Sequence, residues 1–159
     1  MTDAPRLRAP RSVDELFLYR LMRLTSTARP LVVRLCEREF GITRREWSVL
    51  GLLAQHNGLS PSALAERALL DRARASRVIG SLVAKGLVRR EPLPGNRREV
   101  RLSLTDSGQA CHQVLLPQVG AINRELLSVL DEAELNALDA ALQRLTAQAA
   151  RMVQQVDRP

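Results

Sequence analysis

The periodicity of the sequence changes once, and that change restricts the fold more than any other feature. From Glu99 to Leu104 the residues alternate, with Val100, Leu102 and Leu104 on one parity and Glu99, Arg101 and Ser103 on the other. Alternation of this kind marks a strand buried on one face. Just upstream, "LVRREP" (residues 87–92) reads as a second short strand, with Leu93-Pro94-Gly95-Asn96 as the turn between them. On either side the apolar residues step by three and four, the period of helices. A mainly α chain with one small β-hairpin is therefore expected. Its hairpin carries Arg97 and Arg98 at the tip, where no core is available to pack them.

End signals place the helices. One runs from about Val13 to Phe40, with Phe17, Leu21, Leu24, Ala28, Leu31 and Leu35 on one face; Pro30 crowds the Ser26 carbonyl and predicts a kink, and Gly41 ends it. Thr43 and Glu46 form a capping box for the second, whose buried face is Trp47, Leu50, Leu53 and Ala54 and which stops at His56-Asn57-Gly58. Ser60-Pro61 starts the third, with Leu64, Ala65 and Ala68 inward. After a break at Leu69-Leu70, Asp71 caps a fourth that ends at Gly86. Residues 106–128 read as a helix interrupted at Pro117 and Gly120. The last helix starts at Asp131 with Glu134 closing a second capping box. Its seam of Leu135, Leu138, Leu142, Leu145, Ala149, Met152 and Val156 steps three and four over three heptads. Two long terminal helices with apolar seams, around a middle that is already compact, point to an intersubunit bundle.

At 159 residues, with 45% hydrophobic and 26% charged residues, the chain suits one soluble domain with a sizeable core. The net charge of +7 is unevenly spread: residues 60–105 hold ten basic residues against four acids, whereas residues 106–159 hold four against seven. So basic a middle segment suggests a polyanionic partner. Cys36 and Cys111 lie far apart, with no CxxC and no histidine cluster, which argues for reduced, packed thiols and against a zinc site. The only histidines, His56 and His112, lie in different helices, and no glycine-rich phosphate loop or activated nucleophile is present, so neither catalytic residues nor a metal or cofactor is expected. Residues 1–12 read as a mobile tail ahead of a single domain, 13–159. They lack the apolar core of a signal peptide, and no apolar run approaches the length of a membrane span, so a cytoplasmic location is expected.

Two short helices joined by a tight break and followed by a basic hairpin are the organisation of a winged helix-turn-helix. On a helical wheel of residues 71–85, Ala75, Val78, Ile79 and Leu82 gather on one side. Ala73, Ser76, Arg77 and Gly80 lie opposite, with Arg74 flanking. A major-groove helix needs such a face: arginine to pair with guanine O6 and N7 or to hold a phosphate, and small residues to let the backbone approach. Arg72, Ala73, Arg74, Ser76 and Arg77 are the candidate DNA contacts on the helix, and Arg97 and Arg98 those on the hairpin.

The hairpin resembles the wing of the MarR (multiple antibiotic resistance regulator) family of bacterial transcription factors, whose signature is D-x-R-x-x-x-V-x-L-T-x-x-G. Asn96, Arg98, Leu102, Leu104, Thr105 and Gly108 occupy its positions, Asn96 replacing Asp and Leu102 replacing Val. "LDRARASRVIGSLVAKGLVRR" and "FGITRREWSVLGLLA" are similar to the family's recognition helix and second helix, so the likeness spans roughly residues 30–110. It implies a winged helix-turn-helix (42–108) flanked by helical dimerisation segments (13–40 and 109–156). It further implies a homodimer that binds a pseudo-palindromic double-stranded DNA operator, most often as a repressor, with Arg98 entering a narrow minor groove and Arg97 on phosphate. In the family, Asp at position 96 braces the wing arginine; Asn offers a hydrogen bond without charge.

Many such regulators sense a small aromatic or phenolic acid between the dimer helices and the winged domain. An aryl carboxylate needs a cation and an aromatic or apolar wall, and Arg20, Arg23, Ser26, Trp47 and His56 are the candidates here. The alternative is a redox-sensing regulator of the same fold. In relatives of that kind the reactive cysteine lies near the start of the first helix, while Cys36 lies near its end.

Overall fold

A computed structural model describes residues 7–93 and 96–156, and of residues 93 and 96–98 the backbone alone. A 3-10 turn (Val13–Glu15) leads into α1 (Phe17–Phe40), α2 (Arg44–Gln55), α3 (Pro61–Arg67) and α4 (Arg72–Ala84). The hairpin strands β1 (Val88–Leu93) and β2 (Asn96–Leu104) follow, then α5 (Asp106–Leu127) and α6 (Glu132–Val156). The mainly α architecture with a single hairpin is thus the one the sequence predicts. The chain divides into two compact units, Met1–Val119 and Gly120–Pro159.

In the first unit the expected side chains set the helix ends. Thr43 Oγ1 accepts the Glu46 N–H at 3.2 Å and Glu46 Oε2 accepts the Thr43 N–H at 2.6 Å, completing the capping box of α2. Ser60 Oγ accepts the Ala63 N–H at 3.2 Å, and Asp71 Oδ1 the Arg74 N–H at 2.8 Å. Each such cap stabilises its helix by about 1 kcal/mol. The α3–α4 turn closes with Leu69 at φ 54° while the Leu70 N–H reaches back to the Ala65 carbonyl at 2.9 Å. Left-handed backbone at a residue with a side chain costs about 1–2 kcal/mol. The Leu69 side chain, 92% exposed, recovers none of that by packing.

The core draws on most elements of the first unit: Cys36 of α1, Val49, Leu50 and Leu53 of α2, Leu64 of α3, Ile79 and Leu82 of α4, Val88 and Leu102 of the hairpin, and Leu115 of α5, all at most 2% exposed. The strands pair antiparallel, Val88 with Leu104, Arg90 with Leu102 and Pro92 with Val100. The α2–α3 loop adds a bridge that the sequence reading lacks. The Leu102 N–H donates to the Leu59 carbonyl at 2.9 Å and the Gly58 N–H to the Leu102 carbonyl at 3.1 Å. A one-residue bridge leaves no alternation to detect. The second unit holds the end of α5 and the whole of α6, capped by reciprocal bonds between Asp131 and Glu134 (2.8 and 2.9 Å). No residue of α6 is fully buried, and its seam leucines Leu138, Leu142 and Leu145 stay 40–44% exposed.

Three expectations need correction. The first helix is not continuous from Val13: Leu16 is extended (ψ 130°) and α1 starts at Phe17. Local polar contacts hold the preceding turn, since the Arg11 N–H donates to Glu15 Oε2 at 2.7 Å and Arg20 Nε to the Asp14 carbonyl at 3.1 Å. The helix after the hairpin is not interrupted, because α5 runs through Pro117 and Gly120. Proline withholds one N–H there, the Gln113 residue whose carbonyl loses it is exposed to water, and buried Leu115 with half-buried Val119 anchors the helix on both sides. On α2, Val49 rather than Ala54 joins Leu50 and Leu53 in the buried set, and Trp47 is only half-buried. The turn residues Pro94 and Gly95, and the first half of the tail expected over residues 1–12, lie outside the described residues.

Candidate nucleic-acid interface

Helix α4 divides as its sequence predicts. Ala75, Ile79 and Leu82 are at most 3% exposed, while Arg72, Ala73, Arg74, Ser76, Arg77 and Gly80 face solvent. Arg74 is tied to Asp71 (Nε to Oδ2, 3.1 Å), the residue that caps the helix. Arg77 makes only a long bond from Nε to the Ala73 carbonyl, 3.4 Å, and neither it nor Arg72 has a carboxylate partner among the described residues. Two unpaired guanidinium groups beside small residues form a surface that bonds acceptors supplied from outside.

Grooves flank this face on both sides. Toward the hairpin, a cleft of about 440 Å³ has Arg72 and Ser76 on one wall, Arg90 and Glu99 on the other, and Ala75 and Val100 as floor. On the far side a groove of about 450 Å³ brings Arg77 together with Arg29 of α1 and with Arg44 and Arg45 at the start of α2. The sequence reading missed these last three. For Arg44 and Arg45 the signal was the adjacent pair in "TRREW", at the beginning of a helix whose cap was already identified; Arg29, on α1, carried none. The backbone of Arg97 and Arg98 belongs to β2, and their side chains lie outside the described residues, as does that of Asn96.

The hairpin is fastened at its base. Thr105 Oγ1 donates to the Gly86 carbonyl at 2.6 Å and accepts the Gly108 N–H at 3.0 Å, capping α5. Gly108 is buried against the Leu87 backbone. The L-T-x-x-G run noted in the sequence therefore has a physical basis: one hydroxyl joins the end of β2, the start of β1 and the first turn of α5.

Beneath the far groove Glu46 is 2% exposed. Its Oε1 accepts from Ser81 Oγ at 2.6 Å, and its Oε2 from Lys85 Nζ at 2.8 Å as well as from the Thr43 N–H. Burial pushes this carboxyl up, but the bonds from Lys85, Ser81 and Thr43 outweigh it and hold the group below the usual glutamate range. A carboxylate whose pKa is depressed on folding contributes stability that is complete above its unfolded value and is lost as pH falls through the native one. Thermal melts between neutral and acid pH are expected to show this loss, and Glu46→Gln should flatten the acid limb. An unchanged slope in Glu46→Gln would assign the acid sensitivity to other groups.

A third concavity, about 580 Å³, lies between α2 and α5. Trp47 and His112 stack in its wall, ring centroids 5.3 Å apart and planes at 21°. Burial lowers the His112 pKa, which favours the neutral ring. Arg67 supplies a cation to the same cavity and approaches His56 Nε2 at 3.5 Å. Of the effector candidates, Trp47 lines this space and His56 borders it through Arg67. Arg20 and Arg23 are held near Asp14 on the exposed side of α1, and Ser26 is likewise exposed; none of the three is part of its wall. His112 is the residue that sequence reasoning passed over, since a stacking partner 65 positions along the chain leaves no local pattern.

Cys36 is fully buried. Burial foremost, with the neighbouring Cys111 and Glu37, raises its thiol pKa against an opposing pull from Arg44, and burial raises that of Cys111. Both are thereby kept from the reactive thiolate form. Among the described residues no cluster of three or more His, Cys, Asp or Glu is placed to hold a metal ion, and no helix is long and apolar enough to cross a membrane.

The MarR family model matches residues 40–99. The chain is 31% identical over 115 residues to the transcriptional repressor MdtR of Bacillus subtilis, covering 72% of this chain and 74% of that one. It is 32% identical over 105 residues to a protein described as a transcriptional regulator for the hcr operon of Thauera aromatica, covering 66% of this chain and 63% of that relative. In fold it is similar to BpsR of Bordetella bronchiseptica, whose DNA binding is regulated by 6-hydroxynicotinic acid, with a TM-score of 0.76 at 23% identity over 86% of this chain and 97% of that one. The exposed arginine face of α4, the adjoining two-stranded wing and these likenesses agree, and the chain belongs to the MarR family of winged-helix transcriptional regulators.

Proposed function

We propose that this protein is a cytoplasmic repressor that binds a pseudo-palindromic operator as a homodimer and is released by a small aromatic acid. The observation that carries the DNA-binding reading is the α4 face, where two unpaired arginines lie among small residues and opposite a buried stripe. In this reading α4 enters the major groove with Arg77 and Ser76 toward base edges. Arg72, Arg74 and Arg97, with Arg29, Arg44 and Arg45 in the far groove, meet phosphates, and Arg98 reaches the minor groove. Two-fold symmetry then sets the recognition helices about 34–36 Å apart.

Footprinting of the chain on genomic DNA tests the proposal, followed by titration of the recovered site against salt. A dimer contacting six to ten phosphates loses on the order of 10³-fold or more in affinity between 50 and 200 mM salt. Footprints without two-fold symmetry, or affinity indifferent to salt, would defeat it. Arg77→Ala is expected to weaken the operator complex by about 1–3 kcal/mol and to relax base preference at particular positions. An equal loss on every sequence would reassign Arg77 to phosphate.

For the effector, support comes from the Trp47–His112 wall facing Arg67, which offers an aromatic surface and a cation to a planar acid. BpsR, similar in fold, answers to an acid of this class. Trp47 is the only tryptophan, so its fluorescence reports the cavity directly. Aromatic carboxylates that release operator should quench it, and Arg67→Ala should weaken both effects together. Release without any change in Trp47 emission would put the effector elsewhere.

A further inference from the structure

The chain has 24 Lys and Arg residues, of which only residue 85 is a lysine. That lysine meets the one carboxylate buried among the described residues: Lys85 Nζ donates to Glu46 Oε2 at 2.8 Å and to the Gly41 carbonyl at 2.8 Å. We propose that Glu46 is a positioning residue for DNA reading, locking the rotation and depth of α4 through Ser81 and Lys85 so that Arg77 is presented to the groove at one angle.

The capping role of Glu46 does not require these contacts. In capping α2 the Glu46 side chain takes only the bond from the Thr43 N–H, which the amide oxygen of a glutamine also accepts. The remaining contacts all lead to α4. Ser81 and Lys85 are one turn apart on the same helical face and end on the two oxygens of a single carboxylate. One turn further toward the N-terminus on that face stands Arg77, which shares its groove with Ser81 and with Arg44 and Arg45 beside Glu46. Lys85 also reaches the Gly41 carbonyl at the left-handed end of α1, so α1, α2 and α4 meet at one ammonium group. Of this pair only Glu46 is buried; an ion pair with a buried partner is weak evidence for stability, because desolvation offsets most of its attraction, and its better-attested use is to specify one geometry among several. Apolar burial of the inner face of α4 is non-directional, whereas two directed bonds from one helix to one carboxylate specify its rotation. A guanidinium in place of the ammonium is longer and planar, and does not fit a carboxylate oxygen and a carbonyl oxygen with the same point-like donor.

The inference rests on the reading that α4 recognises the operator. Its test is the ratio of affinities for operator and for random duplex, at one salt concentration, with folding checked by thermal melts. Glu46→Gln keeps the cap and is expected to lower that ratio about tenfold, chiefly through operator affinity. Ser81→Ala, at an exposed position where loss of fold is not at issue, should lower it severalfold, and the double variant should fall no further than Glu46→Gln alone. Thr43→Ala removes the Thr43 Oγ1 acceptor of the Glu46 N–H, the other half of the capping box, and leaves the bonds from Glu46 to α4 in place; it should lower the melting temperature and leave the ratio unchanged. If Glu46→Gln and Ser81→Ala both leave the ratio within twofold of the parent, or if Thr43→Ala lowers it as much as Glu46→Gln, the positioning role is wrong. Arg77→Ala, measured alongside, separates the two levels. A ratio unmoved by Arg77→Ala overturns the assignment of α4 as the reader, while a fall with Arg77→Ala but not with Glu46→Gln or Ser81→Ala overturns only the inference about Glu46.

Discussion

Ending the chain before Asp131 is expected to yield a folded monomer whose operator affinity is lower by about 10²-fold or more. Among the described residues every fully buried core side chain lies between Cys36 and Leu115, so removing α6 leaves the core of the first unit complete. What is lost is a 25-residue helix with no buried residue of its own, and Leu138, Leu142, Leu145 and Met152 on its seam are each 40% exposed or more. Apolar seams of this length are not left in water unless they meet another surface. On α1, Leu18, Met22, Leu24 and Leu31, each about half exposed or more, present a comparable need. In the proposed dimer both sets are covered by the second copy, and two linked half-site contacts raise affinity multiplicatively. Sedimentation and operator titration measure the two effects, and circular dichroism verifies the fold. A truncated chain that remained a tight dimer would show that α6 is not the interface and that its seam has another occupant.

Gly108→Ala is expected to destabilise the protein by about 3 kcal/mol, lowering its melting temperature by about 6–12 °C. A methyl group built on Gly108 overlaps the Leu87 carbonyl oxygen and crowds the carbonyl carbon at 2.9 Å. These are backbone atoms at the entry to β1, so no rotamer change relieves the overlap. Alanine gains up to about 1 kcal/mol of helix propensity over glycine, too little to offset the clash. Relief requires α5 to move from the hairpin, which stretches the Thr105 bonds to Gly86 and Gly108. The wing should therefore loosen before the whole core fails, and hydrogen exchange of β2 amides should rise more than that of α2. Gly51→Ala, where a methyl group meets nothing within 4 Å, is the matched control. If Gly108→Ala melts at or above the parent temperature, the close approach of α5 to Leu87 is not part of the solution structure.

What could be read from the sequence is what neighbours in sequence enforce. Thr43, Ser60, Asp71 and Asp131 each cap a helix through a donor three residues away, so their role is written within one turn. The alternation of Val100, Leu102 and Leu104 and the two-sided pattern of α4 are likewise local periodicities, and they suffice for the fold class and for the face that carries Arg72, Arg74 and Arg77. Local rules misjudged Pro117, because one missing N–H was weighed without the packing of Leu115 and Val119 that keeps α5 whole. Tertiary structure alone decided which residues meet across the core. It stacked His112 on Trp47, gathered Arg29, Arg44 and Arg45 beside Arg77, and turned the capping glutamate Glu46 toward Ser81 and Lys85, 35 and 39 positions away. These pairings depend on how helices settle against a shared core, and periodicity records only that a residue faces the core, not which side chain it meets there.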